Sequence, residues 1–112
     1  MNKASITWSD FEKIDIRIGT IEKVEHFEKA KKPAYQLWID FGELGIKKTS
    51  AQLTERYAPA DLMGKQVVAV VNFPPKQIAD FMSECLVLGA VEGKDVILLK
   101  PETEAKNGLA IA

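Results

Sequence analysis

The chain has 112 residues, 46% of them apolar and 28% charged, with a formal net charge of −1. This size and make-up predict one compact globular domain over residues 1–112, with no overall basic field, so any nucleic-acid binding must rest on a local patch. A single cysteine, Cys85, excludes an internal disulfide, no apolar run reaches the ~18 residues of a membrane span, and the N-terminus lacks an apolar leader core, so a cytoplasmic location without membrane insertion is expected.

Residues 1–6 read as a loose terminus. Thr7-Trp8-Ser9-Asp10 is a helix start, with Thr7 able to cap and Asp10 able to reach back. Trp8 and Phe11 share one face of that short helix, and two large aromatics on one turn need cover from the domain or from a second subunit.

From Ile14 the period is two: Ile14, Ile16 and Ile18 alternate with polar residues and glycine. The parity slips before Ile21, which predicts a β-bulge at Gly19-Thr20. Glu28 to Pro33 is a charged loop. Tyr35, Leu37, Ile39 and Phe41 then alternate strictly, the mark of a half-buried strand. Gly42-Glu43 turns it, and residues 44–51 run back as its hairpin partner.

Residues 53–64 turn helical, with Pro59 at a first helical position and Gly64 past the end. Val67 to Val71 is apolar at every residue, too short for a helix and β-branched, so it reads as a strand buried on both faces. It stops at Asn72, and Pro74 and Pro75 cannot continue a ladder. Asn72, Phe73, Lys76 and Ser83 therefore lie where a rigid strand gives way to a short polar loop, a place where binding residues concentrate. A strand over 85–91, a turn at Glu92 to Asp95 and a strand over Val96–Leu99 follow, ended by Pro101.

Three strands, a short helical segment and two or more further strands predict an all-β, five-stranded Greek-key barrel, the OB-fold. Its short helices lie at the N-terminus and between strands 3 and 4. An open α+β sandwich is the alternative.

Little here suits catalysis. His26 and Cys85 are the only residues of their types; a Cys–His pair is formally available, but a cysteine opening an apolar strand is normally inert. One cysteine and one histidine build no zinc site. Gly89 to Asp95 lacks the spacing of a phosphate loop and reads as a hairpin turn. A non-enzyme without metal or cofactor is expected. Basic residues cluster at Lys29, Lys31 and Lys32 and again at Lys47 and Lys48, interleaved with glutamates. On composition alone they read as a mixed-charge surface; in a barrel they approach one rim and supply a few phosphate contacts. Trp38 lies on the polar side of its strand, where it must stack a base, grip a peptide or be covered by another subunit.

Several long motifs, in order from Asp10 to Ile111, resemble one family. They are Asp10-Phe-Glu-Lys-Ile-Asp-Ile-Arg-Ile-Gly-Thr-Ile21, Lys48-Thr-Ser-Ala-Gln-Leu-Thr54, Asn72-Phe-Pro-Pro-Lys-Gln-Ile-Ala79 and Ser83-Glu-Cys-Leu-Val-Leu-Gly89. The chain resembles the CsaA export-related chaperones, of the tRNA-binding-domain superfamily. That resemblance implies an OB-fold homodimer joined through terminal segments, with Trp8 and Phe11 at the seam. It implies binding of unfolded or secretory polypeptides through apolar pockets near that seam, or of tRNA and other structured RNA.

The superfamily's Ser at the end of strand 3, Asn at the end of strand 4 and Ser after the following loop match Ser50, Asn72 and Ser83. Two loop positions that are usually basic read Gln77 and Ala79, and a usual glycine reads Asp80. The peptide reading therefore leads. Phe73, Pro75, Ile78 and Phe81 would supply apolar contact, and Gln52, Asn72 and Ser83 would bond extended backbone. Apolar-plus-basic peptides are the expected clients. In the RNA reading Lys31, Lys32, Lys47, Lys48 and Lys76 would meet phosphates, with Ser50, Asn72 and Ser83 beside them, and Trp38 or Phe73 would stack.

Overall fold

A computed structural model describes residues 2–112. Helix α1 (Trp8–Glu12) starts on a reciprocal cap: Asp10 N donates to Thr7 Oγ1 at 3.1 Å, and Thr7 N donates to Asp10 Oδ2 at 3.0 Å. Strand β1 (Ile16–His26) follows, then β2 (Tyr35–Asp40) and β3 (Ile46–Ala51) as an antiparallel meander. Helix α2 (Pro59–Leu62) leads to β4 (Gln66–Val70), which returns antiparallel to β1. Next come a small hairpin of β5 (Lys76–Ile78) and β6 (Phe81–Ser83), then β7 (Leu86–Val87), and finally a hairpin of β8 (Gly89–Glu92) and β9 (Asp95–Leu98).

The main sheet runs β3-β2-β1-β4-β7. It curls until its ends meet: Glu84 N donates to Lys48 O at 2.8 Å, and Lys48 N donates to Glu84 Oε1 at 3.0 Å. This is a nearly closed five-stranded barrel of the OB type, all-β apart from short helices. The open sandwich is excluded, because the two edge strands are joined. Inside lie Ile21, Leu37, Ile39, Phe41, Leu62 and Val67, all fully buried. Burying each such side chain stabilises by about 1.5–3 kcal/mol. The strict alternation of β2 appears as strictly alternating burial, because one of its faces lines this core.

Strand β1 differs from the expectation. There is no bulge at Gly19-Thr20; the register with β2 shifts between Ile21 and Lys23. The parity slip has another cause. Ile16 and Ile18 pair with Val70 and Val68 on the outer face, whereas Gly19 faces the core. A Cβ on Gly19 would lie 2.5 Å from Ile39 Cγ2 and 2.7 Å from Phe41 Cε1, so glycine lets the barrel close there. The C-terminal tail also pairs with this half of β1: Gly108 N donates to Ile18 O, Ile18 N to Leu109 O, and Ile111 N to Ile16 O.

The predicted strand 85–91 divides between two sheets. Leu88 N donates to Val68 O in the barrel, while Leu88 O accepts from Leu99 N in the last hairpin. Gly89 makes the bend, since a Cβ there would strike Val96 Cγ1 at 2.6 Å. The polar loop expected after Pro75 is instead the β5–β6 hairpin. It lies over the outer face of β2 and builds a second apolar cluster of Phe27, Ala34 and Phe81.

Candidate ligand groove

A groove of 580 Å³ opens between the β1–β2 loop, the end of β3 and the β5–β6 hairpin. Ala30, Ala34, Ile78 and Ala79 give it an apolar floor, Ser50, Gln52 and Gln77 supply amide and hydroxyl groups, and Lys29, Lys31, Lys32 and Lys76 form a cationic rim. In OB barrels this position, between the loop after strand 1 and the loop before strand 5, is where oligomeric ligands bind. Lys31, Lys32, Lys76, Ser50, Gln52 and Ile78, singled out from sequence for two different ligands, thus line one surface.

One wall is held by charge. Lys29 Nζ lies 2.7 Å from Asp80 Oδ2, linking the β1–β2 loop to the hairpin turn. That contact raises the Lys29 pKa and holds Asp80 below its ordinary value, by hydrogen bonding first and charge second for the lysine. Asp80, the one negative charge gained by the loop, is thereby answered within the chain. Next to it Ala79 takes a left-handed backbone, φ 52°, which places the two-residue turn of the hairpin.

Other predicted site residues lie elsewhere, for reasons no short-range pattern reveals. Asn72 is a clamp: Asp15 N donates to its Oδ1 at 3.0 Å, and its Nδ2 donates to Lys13 O at 2.7 Å. It fixes the link from α1 to β1, leaving one lone pair and one N–H for anything else. Ser83 belongs to a closing chain of hydroxyls. Ser50 N donates to Ser83 Oγ (3.2 Å), the Ser83 and Thr49 hydroxyls share a bond (2.9 Å), and Thr49 Oγ1 donates to Cys85 O (2.6 Å). Thr49 is a fully buried polar side chain, and this chain satisfies it.

Phe81 is a correction. It is 6% exposed, with its ring against Phe27 and Trp38, and so offers no open apolar contact. Trp38 is corrected with it: its own chain covers it, with the Phe81 ring at 5.9 Å and Lys23 Nζ 4.5 Å above its centroid. Lys48 Nζ sits 5.1 Å from the centre of the Phe81 ring, and neither Lys47 nor Lys48 lines the groove. Phe73 is exposed (54%) in the proline loop outside the groove, and Pro75 lies in the same loop.

Trp8 (82% exposed) and Phe11 line a separate apolar surface with Ile6, Thr7 and Ala112, where the two ends of the chain meet. Cys85 is buried, and burial pushes its thiol up to about 12, so it stays protonated at neutral pH. His26 lies on the exposed end of β1 with its ring against Tyr35. Among the described residues no group of three His, Cys, Asp or Glu is placed to hold a metal, and no helix is long and apolar enough to cross a membrane.

Comparison with known proteins gives this geometry a setting. Residues 16–110 match the family described as "Putative tRNA binding domain". The crystal structure of chaperone CsaA from Bacillus anthracis is 55% identical, covers 97% of this chain and all of that one, and superposes with a TM-score of 0.94. The CsaA chaperone of Picrophilus torridus is 52% identical over 96% of this chain and all of that one, with a TM-score of 0.91. A methionine–tRNA ligase of Methanococcoides burtonii is 41% identical over 97% of this chain; the chain spans only 16% of that relative's length. The chain therefore belongs to the tRNA-binding-domain family and, within it, to the CsaA chaperone group.

Proposed function

We propose that the protein is a CsaA-like, export-related chaperone that holds extended segments of unfolded or secretory polypeptides in the groove between the β1–β2 loop and the β5–β6 hairpin. The groove's make-up carries this reading: an apolar floor of Ala30, Ala34 and Ile78 beside the exposed amide of Gln52. Apolar side chains would bury on the floor while extended backbone bonds Gln52 and Gln77. The rim selects segments that are apolar and neutral or acidic. The protein acts by binding and performs no catalysis.

It works as a homodimer joined through the surface of Trp8 and Phe11, which would otherwise leave a large aromatic in water. Its place is the cytoplasm, in keeping with a lone buried thiol. Titration of a fluorescent apolar peptide tests the reading. Ile78→Ser is expected to weaken capture several-fold; equal affinity for wild type and variant overturns the groove as the peptide site.

The rim favours a second reading, tRNA or another structured RNA. Lys31, Lys32 and Lys76 border the groove with no carboxylate in contact among the described residues. Its test is the salt dependence of tRNA affinity, which each phosphate contact steepens by ~0.7–0.9 in log–log slope. A flat dependence removes it. The two ligands would compete for one surface.

A further inference from the structure

The groove continues past Gln52. A second chamber of 290 Å³ opens beyond it, lined by Lys32, Pro33, Gln52, Thr54, Glu55 and the β8–β9 turn at Gly93-Lys94. Lys32 and Gln52 border both chambers, so the two form one track from the β5–β6 hairpin to the last hairpin of the chain. Five lysines and a single glutamate, Glu55, line this track in a chain whose net charge is −1.

An ion pair stands at each end of the track. At the first end Lys29 takes Asp80. At the second, Asp95, next to Lys94 in the turn, is held by Arg56 through a two-pronged contact, Nε to Oδ1 at 2.9 Å and Nη2 to Oδ2 at 2.6 Å. The fork geometry directs that carboxylate at the guanidinium. Asp95 is thereby engaged by Arg56 and not by Lys94, which lines the chamber.

We propose that the chamber under the β8–β9 turn is a second phosphate subsite, with Lys94 and Lys32 contacting successive phosphates of an RNA strand that leaves the first chamber at Gln52. This rests on the RNA reading and extends its site. An RNA strand fits better than a polypeptide here, because the second chamber has no apolar floor apart from Pro33 and carries two cations, Lys32 and Lys94, against one carboxylate, Glu55. Lys94 is the residue added by this inference, and it lies far in sequence from every motif that marks the first chamber.

The test is tRNA affinity at several salt concentrations for wild type, Lys94→Ala, Lys76→Ala and Glu55→Gln. Lys94→Ala is expected to weaken binding several-fold and to lower the salt slope by about 0.7–0.9. Glu55→Gln is expected to tighten binding, since it removes the only carboxylate in the track. If Lys76→Ala weakens binding while Lys94→Ala and Glu55→Gln leave it unchanged, the second subsite is overturned and the first stands. If no variant changes affinity or slope, the RNA reading fails with it. Weakened capture of an acidic peptide by Lys94→Ala, with tRNA binding unaltered, also overturns the proposal. Lys94 is exposed in a turn, so its replacement leaves folding intact, and an unchanged thermal midpoint confirms this for each variant.

Discussion

Lys29 and Asp80 stand 51 residues apart in sequence and 2.7 Å apart in space, Nζ to Oδ2, and this exposed pair answers one cation of the groove rim. Without Asp80 the rim would present one more free ammonium. Asp80→Asn is expected to strengthen tRNA binding several-fold and to steepen its salt slope by close to one contact. It is expected to leave capture of a neutral apolar peptide unchanged. Parallel titrations with the two ligands check both outcomes.

The pairs Lys29–Asp80 and Arg56–Asp95 also define a pH response. Hydrogen bonding and charge hold both aspartates below their ordinary 3.8. A carboxylate with a lowered folded-state pKa adds stability that is fully present above its unfolded value and is lost as pH falls through the folded one. Both walls of the track are therefore expected to stay intact from pH 8 to 5 and to loosen only below the ordinary carboxylate range. Carboxyl carbon shifts of Asp80 and Asp95 in an NMR titration check this; a midpoint above 3.8 for either contradicts it.

Thr49 closes the barrel from within. Its hydroxyl donates to the Cys85 carbonyl and meets Ser83, joining β3 to the segment that starts the fifth barrel strand. Thr49→Val keeps the shape and orphans that carbonyl in the core, at a cost of about 1–3 kcal/mol. Thr49→Ser restores the hydroxyl and is expected to recover most of the loss. Denaturant unfolding of the three proteins measures it.

Trp8 carries the prediction for assembly. It is 82% exposed on a five-residue helix, so Trp8→Asp is expected to cost the isolated fold under 0.5 kcal/mol. A charge at the seam of a homodimer is expected to split it. Sedimentation velocity of wild type and variant decides the matter: a wild type that sediments as a monomer at high concentration overturns the dimer.

The groove was legible in part. Lys31, Lys32 and Lys76 carry local cues, a charge cluster and the strand-to-loop break, whereas Ser50, Gln52 and Ile78 enter only through the family resemblance; all six border the groove. Phe81 and Trp38 misled because alternation reports which face of a strand a residue is on, and says nothing of what later folds over that face. Asn72 and Ser83 stood out for the same reason that they are now engaged: each lies at a strand end, where polar groups are wanted both by ligands and by the barrel's own loose backbone. Their partners are 59 and 34 residues away.

The sequence by itself determined the period-two strands of the first half, the cap of the first helix and the stop at Asn72 to Pro74, but not the β5–β6 hairpin or the split of 85–91. These rest on near-neighbour physics: period-two burial in Tyr35–Phe41, the Thr7–Asp10 reciprocal bonds, and prolines that cannot donate. The tertiary structure alone decided how the edges join, where the tail pairs, and which cations remain without a carboxylate. Those outcomes depend on contacts across the whole chain, such as Lys29 with Asp80 and Arg56 with Asp95, whose distance is set only once the barrel has curled shut.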